Sequence, residues 1–389
     1  METQPAAEQL LSSTWGEEVN LETGESLGGS NRSHVLRYKF AKAPSNAPET
    51  IVVKHAVAQG GETYDPDAAT GAAWRLFNDW AGLQFLTQCF GDAADMPTPR
   101  FIAGDRTNGL IVLHDLGVGK GLDHYLLNGG PPEAENATIE LFRVLGQMHA
   151  ATCGKQDQYD ALRLALGPHT RQPLSEHITW HRENQPKGLA KLGITPPQGF
   201  LEEVEDFVTE FRGPGPFSAY SHMDPCPDNT LLIDGKMKLL DFEFSDMGNA
   251  AIDMRYPWAL WPTCWCVNQL PEAIKRKAVA IYRAELIKGC PAASDDRLFT
   301  KQLVAGCADS ALPMLSRDHL QWSIEKGAKL GNFVFVQQVL ARLDGFAQLS
   351  EEYGHFPLMA EMSRAAAKAI RAQLLPGFQE LPLYPAFRS

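Results

Sequence analysis

Between Tyr220 and Glu243 the chain reads YSHMDPCPDNTLLIDGKMKLLDFE, and within it His222, Asp224 and Asn229 stand as H-x-D-x-x-x-x-N ahead of Asp241. Two carboxylates and an amide in this order suit a divalent cation and an activated hydroxyl. Phosphoryl transfer uses both. A carboxylate orients and deprotonates the acceptor hydroxyl, and oxygen ligands hold magnesium against the phosphates. In that chemistry Asp224 is the base, and Asn229 and Asp241 are the metal ligands. The competing reading is a surface loop and hairpin whose Asp and Asn side chains cap turns. An isolated Asp or Asn would favour it; the ordered set around a hairpin favours the chemistry.

The elements that must position these groups are short. Leu231, Leu232 and Ile233 form an apolar strand, Asp234-Gly235 is a two-residue turn of the kind that closes a tight hairpin, and Lys236 to Leu240 returns as a second strand. The hairpin is expected to carry Asp241 back beside the loop that holds Asp224 and Asn229.

This stretch resembles the aminoglycoside phosphotransferase and choline kinase superfamily, in which the loop usually reads H-G-D, then Asn, then a hairpin ending in Asp. Here Met223 stands where that family has Gly. The segment from Leu239 to Tyr256, with D-F-E, Asn249 and Ile252-Asp253, looks most like the choline kinase form. The resemblance implies an α+β, two-lobed protein-kinase-like fold: a small antiparallel-sheet N-terminal lobe and a larger, mainly helical C-terminal lobe. It implies Asp224 as the catalytic base, with Asn229 and Asp241 on Mg2+. His222, Glu243 and Asp253 would support the site from behind, and Asp253 would brace the catalytic loop.

Upstream, Leu27-Gly28-Gly29-Ser30-Asn31 is a glycine turn between two strands. Glycines there let backbone N–H groups approach phosphate oxygens, although such a turn is also ordinary in hairpins. The turn resembles the family's nucleotide loop. Ile51 to His55 is an apolar strand with one lysine, and the resemblance gives Lys54 the α- and β-phosphates of ATP. Ala72 to Gln88 has helical spacing. The family places a Glu on this helix to pair with the strand lysine; Asp79 falls at that position, one methylene shorter, so a longer or water-bridged pair is expected. Arg100 to Ala103 and Leu110 to Leu113 read as strands. Leu113 to Gly117, including Asp115, resembles the hinge whose backbone reads the adenine edge. Residues 1–117 would be the nucleotide-binding lobe and 118–389 the catalytic and acceptor-binding lobe.

In the second lobe Asn128 to Glu135 reads as a Gly/Pro loop and Thr138 to Ala151 as an amphipathic helix whose His149 is a core histidine. His177 and His181 read as a packed or solvated face. Further helices are expected at Glu272–Lys288, Asp295–Leu312, Gln321–Leu349 and Leu358–Leu374, with a proline-interrupted tail that packs back. Trp258, Trp261 and Trp265 are spaced for one side of a helix, with Pro262 kinking it. Core packing is one reading of them. The other, suggested by the choline kinase likeness, is an aromatic wall for a cationic acceptor. Cys264-x-Cys266, between aromatics, reads as helix packing in preference to a metal site.

The composition is consistent with this. With 389 residues, 44% hydrophobic, the chain can bury a large core. Thirty-five Lys+Arg against 47 Asp+Glu, a net charge of −12, argues against nucleic acid or an anionic membrane as partner. Seven cysteines without C-x-x-C pairs read as reduced thiols in a cytoplasmic protein. The expected function is an ATP- and Mg2+-dependent kinase acting on a small-molecule hydroxyl, with a small cationic alcohol as one acceptor class beside aminoglycosides and sugars. The alternative from another class is a catalytically silent nucleotide-binding regulator. A protein kinase is disfavoured, because D-F-G is missing and no activation loop runs on to an A-P-E after Asp241; the A-P-E at Ala47–Glu49 lies far upstream.

Overall fold

A computed structural model of the protein describes residues 3–388 except 30–31, 59–62, 94, 262–263 and 325–333. Along the chain the elements are α1 (Thr3–Trp15), β1 (Asn20–Leu21), β2 (Glu25–Gly28), β3 (Ser33–Lys42), β4 (Thr50–Ala56), α2 (Gly71–Phe90), β5 (Phe101–Asp105) and β6 (Leu110–His114). There follow α3 (Leu122–Asn128), α4 (Pro131–Thr152), α5 (Gln156–Leu166), α6 (Leu174–Lys191), α7 (Phe200–Arg212), β7 (Ser218–Ser221), β8 (Thr230–Ile233), β9 (Lys236–Leu239) and β10 (Asp246–Asn249). The remainder is helical: α8 (Ala251–Met254), α9 (Tyr256–Ala259), α10 (Glu272–Leu286), α11 (Asp296–Ala311), α12 (Arg317–Ile324), α13 (Val334–Tyr353) and α14 (Pro357–Arg371). Among the described residues no helix is long and apolar enough to cross a membrane.

The chain divides into two compact units. The first comprises Met1–Lys120, Lys155–Thr170 and Asn229–Met247; the second comprises Gly121–Gly154, Arg171–Asp228 and Gly248–Ser389. The first is built on an antiparallel sheet in the order β1-β3-β4-β6-β5, with β2 added beside β3. β4 decides its polarity. Its residues alternate, so Ile51 and Val53 point into a core with Ala6, Ala7 and Leu11 of α1, while Lys54 points to the other face. Helix α1 begins at Thr3 and buries Ala6, Ala7 and Leu11. Its buried contacts at Ala6 and Ala7 are too small to register as a hydrophobic stripe, and Thr3 Oγ1 is tied to His55 Nδ1 at 2.8 Å.

The hairpin β8–β9 also belongs to the first unit. Ile233 pairs with Lys236, so the loop is two residues, Asp234 at φ 50° and Gly235 at φ 75°. Positive φ at both central positions is the type I′ geometry that matches strand twist.

The second unit is helical, with α4 laid along α10. The loop expected over Asn128 to Glu135 is helical from Pro131 onward. Pro131 and Pro132 occupy the first turn, where a missing N–H loses nothing, and Glu133 accepts from Gly130 N–H at 3.1 Å. The helix expected over Gln321–Leu349 includes 325–333, which lie outside the described residues; α12 and α13 flank them. The tail does pack back. Tyr384 is fully buried, its N–H donates to Gln269 O at 2.9 Å, and Gln269 N–H donates to Pro382 O at 2.8 Å.

Candidate active site

In the first unit Lys54 Nζ lies 2.6 Å from Asp79 Oδ2 and 2.7 Å from Asp241 Oδ1. The lysine is thus held between a carboxylate from α2 and one from the end of the β8–β9 hairpin. Burial pulls this ammonium down, but the two carboxylates more than reverse it, and its net displacement is upward. The pair expected to be longer or bridged by water is direct. Close packing of α2 on the sheet explains it. Trp80 lies so tightly over Gly104 of β5 that a Cβ there would sit 2.4 Å from the indole ring. A helix seated that close lets the shorter Asp reach. The other oxygen of Asp79 accepts from Phe242 N–H at 3.1 Å, which ties the helix to the residue after Asp241.

Asp241 takes φ 62°, and Leu240 N–H donates to Asn229 O at 2.9 Å, so the hairpin seats Asn229 and Asp241 side by side within this unit. Their donor atoms are a carboxylate and an amide oxygen, the hard ligands magnesium takes. Glu243, by contrast, is not aimed at open space. Its carboxylate pairs with Arg32 at 2.8 Å and stands 3.7 Å from Arg75, while Asn78 Nδ2 donates to its backbone oxygen at 2.9 Å. Burial first, and the Asp241 charge second, push the Glu243 carboxyl up from its ordinary range. Arg32, Lys54, Arg75 and Glu243 line one cavity of this unit. Neither arginine was singled out from the sequence, because both are ordinary surface residue types with no motif around them.

Of the glycine turn, Gly28 and Gly29 have φ of 103° and 125°. A Cβ on Gly29 would meet Ser33 O at 2.3 Å, so that position admits glycine alone. Ser30 and Asn31 lie outside the described residues. Leu113 is buried in β6, paired with Val52 and Phe101. Asp115 is occupied by its own chain: its carboxylate accepts from Arg37 Nε at 2.5 Å, Thr50 Oγ1 at 2.8 Å and Gly117 N–H at 2.9 Å. Burial raises that carboxyl, and the Arg37 bond and the two further donors outweigh it, so it falls below its ordinary range.

In the second unit the loop before the hairpin is built around Asp253. Its carboxylate accepts from His222 N–H at 2.6 Å and Met223 N–H at 2.9 Å, and its Oδ2 lies 3.0 Å from His149 Nε2. The other nitrogen of His149 meets the Tyr282 hydroxyl at 2.6 Å. Asp253 and His149 are both fully buried. Met223 takes φ 63°. This left-handed turn is the physical reason a glycine suits the position; a methionine there is disfavoured by about 1–2 kcal/mol. The Tyr256 hydroxyl donates to Met223 O at 2.7 Å, and the Met223 side chain packs against Gly248, whose Cβ would lie 3.2 Å from Met223 Cε. These contacts hold the strained turn. Asp224, next in line, accepts from the Cys226 thiol at 3.0 Å.

The three tryptophans do not share a helix face. Helix α9 stops at Ala259, and Leu260 turns away at φ 63°. Trp261 is buried, stacked on Tyr256 at 6.0 Å and edge-on to Tyr384 at 6.3 Å. Trp258 is buried too, and this chain's own Arg276 and Lys275 stand over its ring. Only Trp265, 69% exposed, offers its ring to solvent. The helical spacing failed because the helix ends at Ala259 and a left-handed Leu260 follows it; Pro262 lies outside the described residues. Trp261→Leu should therefore lower stability by about 2–4 kcal/mol as a core truncation, while Trp265→Leu should stay within about 0.5 kcal/mol of the parent. Urea denaturation of both variants checks this; equal effects would contradict the burial contrast.

Cys264 and Cys266 are likewise not on a helix. Their sulfurs are 2.9 Å apart, and Cys226, from the loop after Asp224, bonds to Cys264 as well. Hydrogen bonding with Cys226 and Cys266 holds the Cys264 thiol below its usual range, against burial, which raises it. His181 behaves as a packed residue: burial pushes it down to about 4, and its ring packs edge-on to Phe207 at 6.2 Å.

The phosphotransferase enzyme family matches residues 43–285, more than half of the chain. None of the curated proteins compared matches it in sequence. Among solved structures the chain is similar to a macrolide 2'-phosphotransferase from Brachybacterium faecium at 16% identity and a TM-score of 0.40, over 82% of this chain and 96% of that one. A choline kinase from Streptococcus pneumoniae shares 12% identity at a TM-score of 0.40, over 88% and 98%. A putative fructosamine-3-kinase from Haemophilus somnus shares 11% at 0.43, over 86% and 96%. The assignment rests on the family match and not on these distant likenesses. With its antiparallel N-terminal sheet and larger helical part, in the protein-kinase-like fold its motifs implied, the chain belongs to the phosphotransferase enzyme family.

Proposed function

We propose that this phosphotransferase is a small-molecule kinase that moves the γ-phosphoryl group of ATP onto a hydroxyl with the help of Mg2+. The observation that carries the reading is Lys54, held between Asp79 and Asp241 at 2.6 and 2.7 Å. A lysine so held can take phosphate oxygens without losing its place. Arg32 and Arg75 beside it leave the cavity lining with more positive than negative groups, which suits an anion. The Gly28 and Gly29 backbone closes on the phosphates, and the backbone around Leu113 and Asp115 reads the base. Asn229 and Asp241 hold the metal by oxygen. Bound Mg·ATP supplies the activated phosphoryl group and screens its charge. Asp224 orients the acceptor hydroxyl and takes its proton. Asp253 fixes the backbone of His222 and Met223, and through it the approach to Asp224.

The acceptor is a small molecule with a free hydroxyl, for which amino alcohols, aminoglycosides and sugars are the classes to compare. ADP release from purified protein with Mg·ATP against a panel of the three tests the reading. Release with one class supports it. ATP binding without release for any of them would favour the silent regulator, and absence of ATP binding would overturn both. In the same protein Asp241→Ala should weaken Mg2+-dependent ATP binding by about tenfold to a hundredfold in titration calorimetry. An unchanged magnesium dependence removes Asp241 from the metal site.

A further inference from the structure

We propose that Cys226, Asp228 and Cys264 form a binding site for a zinc-class divalent cation. One oxygen and two sulfur atoms of these residues all lie within 4.8 Å of one another. Bonds of about 2.3 Å to sulfur and about 2.1 Å to oxygen place tetrahedral ligand atoms roughly 3.6–3.8 Å apart, so no pair of the three donors needs to close by more than about 1 Å. All three belong to the second unit, whereas Asn229 and Asp241 belong to the first. The donor chemistry also differs. Two thiolates and one carboxylate select zinc, not magnesium.

The scaffold is restrained. Cys226 sits between Pro225 and Pro227, its N–H donating to Asp224 O at 2.7 Å, and Pro227–Asn229 is a 3₁₀ turn that presents Asp228. Cys264 N–H donates to Trp261 O at 3.2 Å. The Trp265 indole hydrogen-bonds the Asp228 carboxylate, orienting it from outside the triad. Cys266, 2.9 Å from Cys264 sulfur to sulfur, gives the latter a hydrogen-bond partner. Asp123 adds a further negative charge toward Asp228 and Cys266. On binding, each thiol releases its proton to solvent as its sulfur–metal bond forms, with no change of oxidation state. A metal on Cys226 also takes away the S–H that donates to Asp224.

The test is metal content and cobalt spectroscopy of the full chain, independent of turnover. Protein purified from zinc-supplemented medium without chelator should carry zinc equimolar with the chain. Co2+ added to the stripped protein should give sulfur-to-cobalt charge-transfer absorption. Cys226→Ser and Cys264→Ser should abolish both signals. Asp228→Asn, at an exposed position that leaves the fold intact, should weaken Co2+ binding by about 10–100-fold. Cys89→Ser, in the first unit, should change neither. Zinc-free parent protein that also gives no charge-transfer band overturns the proposal. So does an intact mass showing a disulfide among these cysteines in the freshly purified chain, or an Asp228→Asn variant with parent affinity and circular dichroism.

Discussion

Asp224→Asn is expected to lower turnover by about 10²–10⁴-fold while ATP affinity stays within about twofold of the parent. Asparagine keeps the shape of the side chain and its acceptance of the Cys226 thiol at 3.0 Å, but it cannot take a proton at neutral pH. Lys54, Asp79 and Asp241, which the proposed function assigns to the nucleotide and its metal, belong to the other compact unit. Loss of turnover with intact ATP binding therefore separates a base from a binding residue. The measurement is ADP release at saturating acceptor, paired with ATP titration of the same sample. A variant that keeps more than about a tenth of parent turnover would sink the base assignment.

Asp253→Ala should be the most damaging single change to the second unit. The substitution removes the partner of buried His149 and leaves the N–H groups of His222 and Met223 without their acceptor. Removing this buried acceptor orphans the His149 ring and two N–H groups, at about 1–3 kcal/mol for each group left unsatisfied. Asp253→Asn retains an oxygen for one of the donors and should lose about 1–2 kcal/mol less. The pH dependence has a definite sign. Burial raises the Asp253 carboxyl, the bonds from His149 and the loop outweigh it, and the net displacement is downward. Its contribution to stability is therefore present above the ordinary carboxylate range and is lost as pH falls through the lowered value. Urea midpoints at neutral and acidic pH read both effects. An alanine variant within about 1 kcal/mol of the parent would show that the network is ornamental.

What could be read without a structure was whatever repeats over a few residues. The alternation of β4 sends Ile51 and Val53 to the α1 core and Lys54 to the opposite face, since successive side chains in a strand must point apart. Asp234-Gly235 sets the hairpin by its tolerance of positive φ, and the hairpin in turn sets Asp241 beside Asn229. The ordered H-x-D-x-x-x-x-N and the returning Asp were enough to point to the family.

Contacts between residues far apart in the chain were decided only by the tertiary structure. Asp79 reaches Lys54 directly because Gly104 lets Trp80 press onto the sheet, and no local pattern on α2 encodes a glycine on β5. Arg32 pairs with Glu243 across 211 residues, a contact that no local pattern announces. Trp258 and Trp261 went to the core because a left-handed Leu260 ended the helix that would have aligned them with Trp265, and backbone φ is not carried by helical periodicity. Cys226 and Cys264 met for the same reason as Asp79 and Lys54: burial chooses partners by shape and volume, and spacing along the chain says nothing of it.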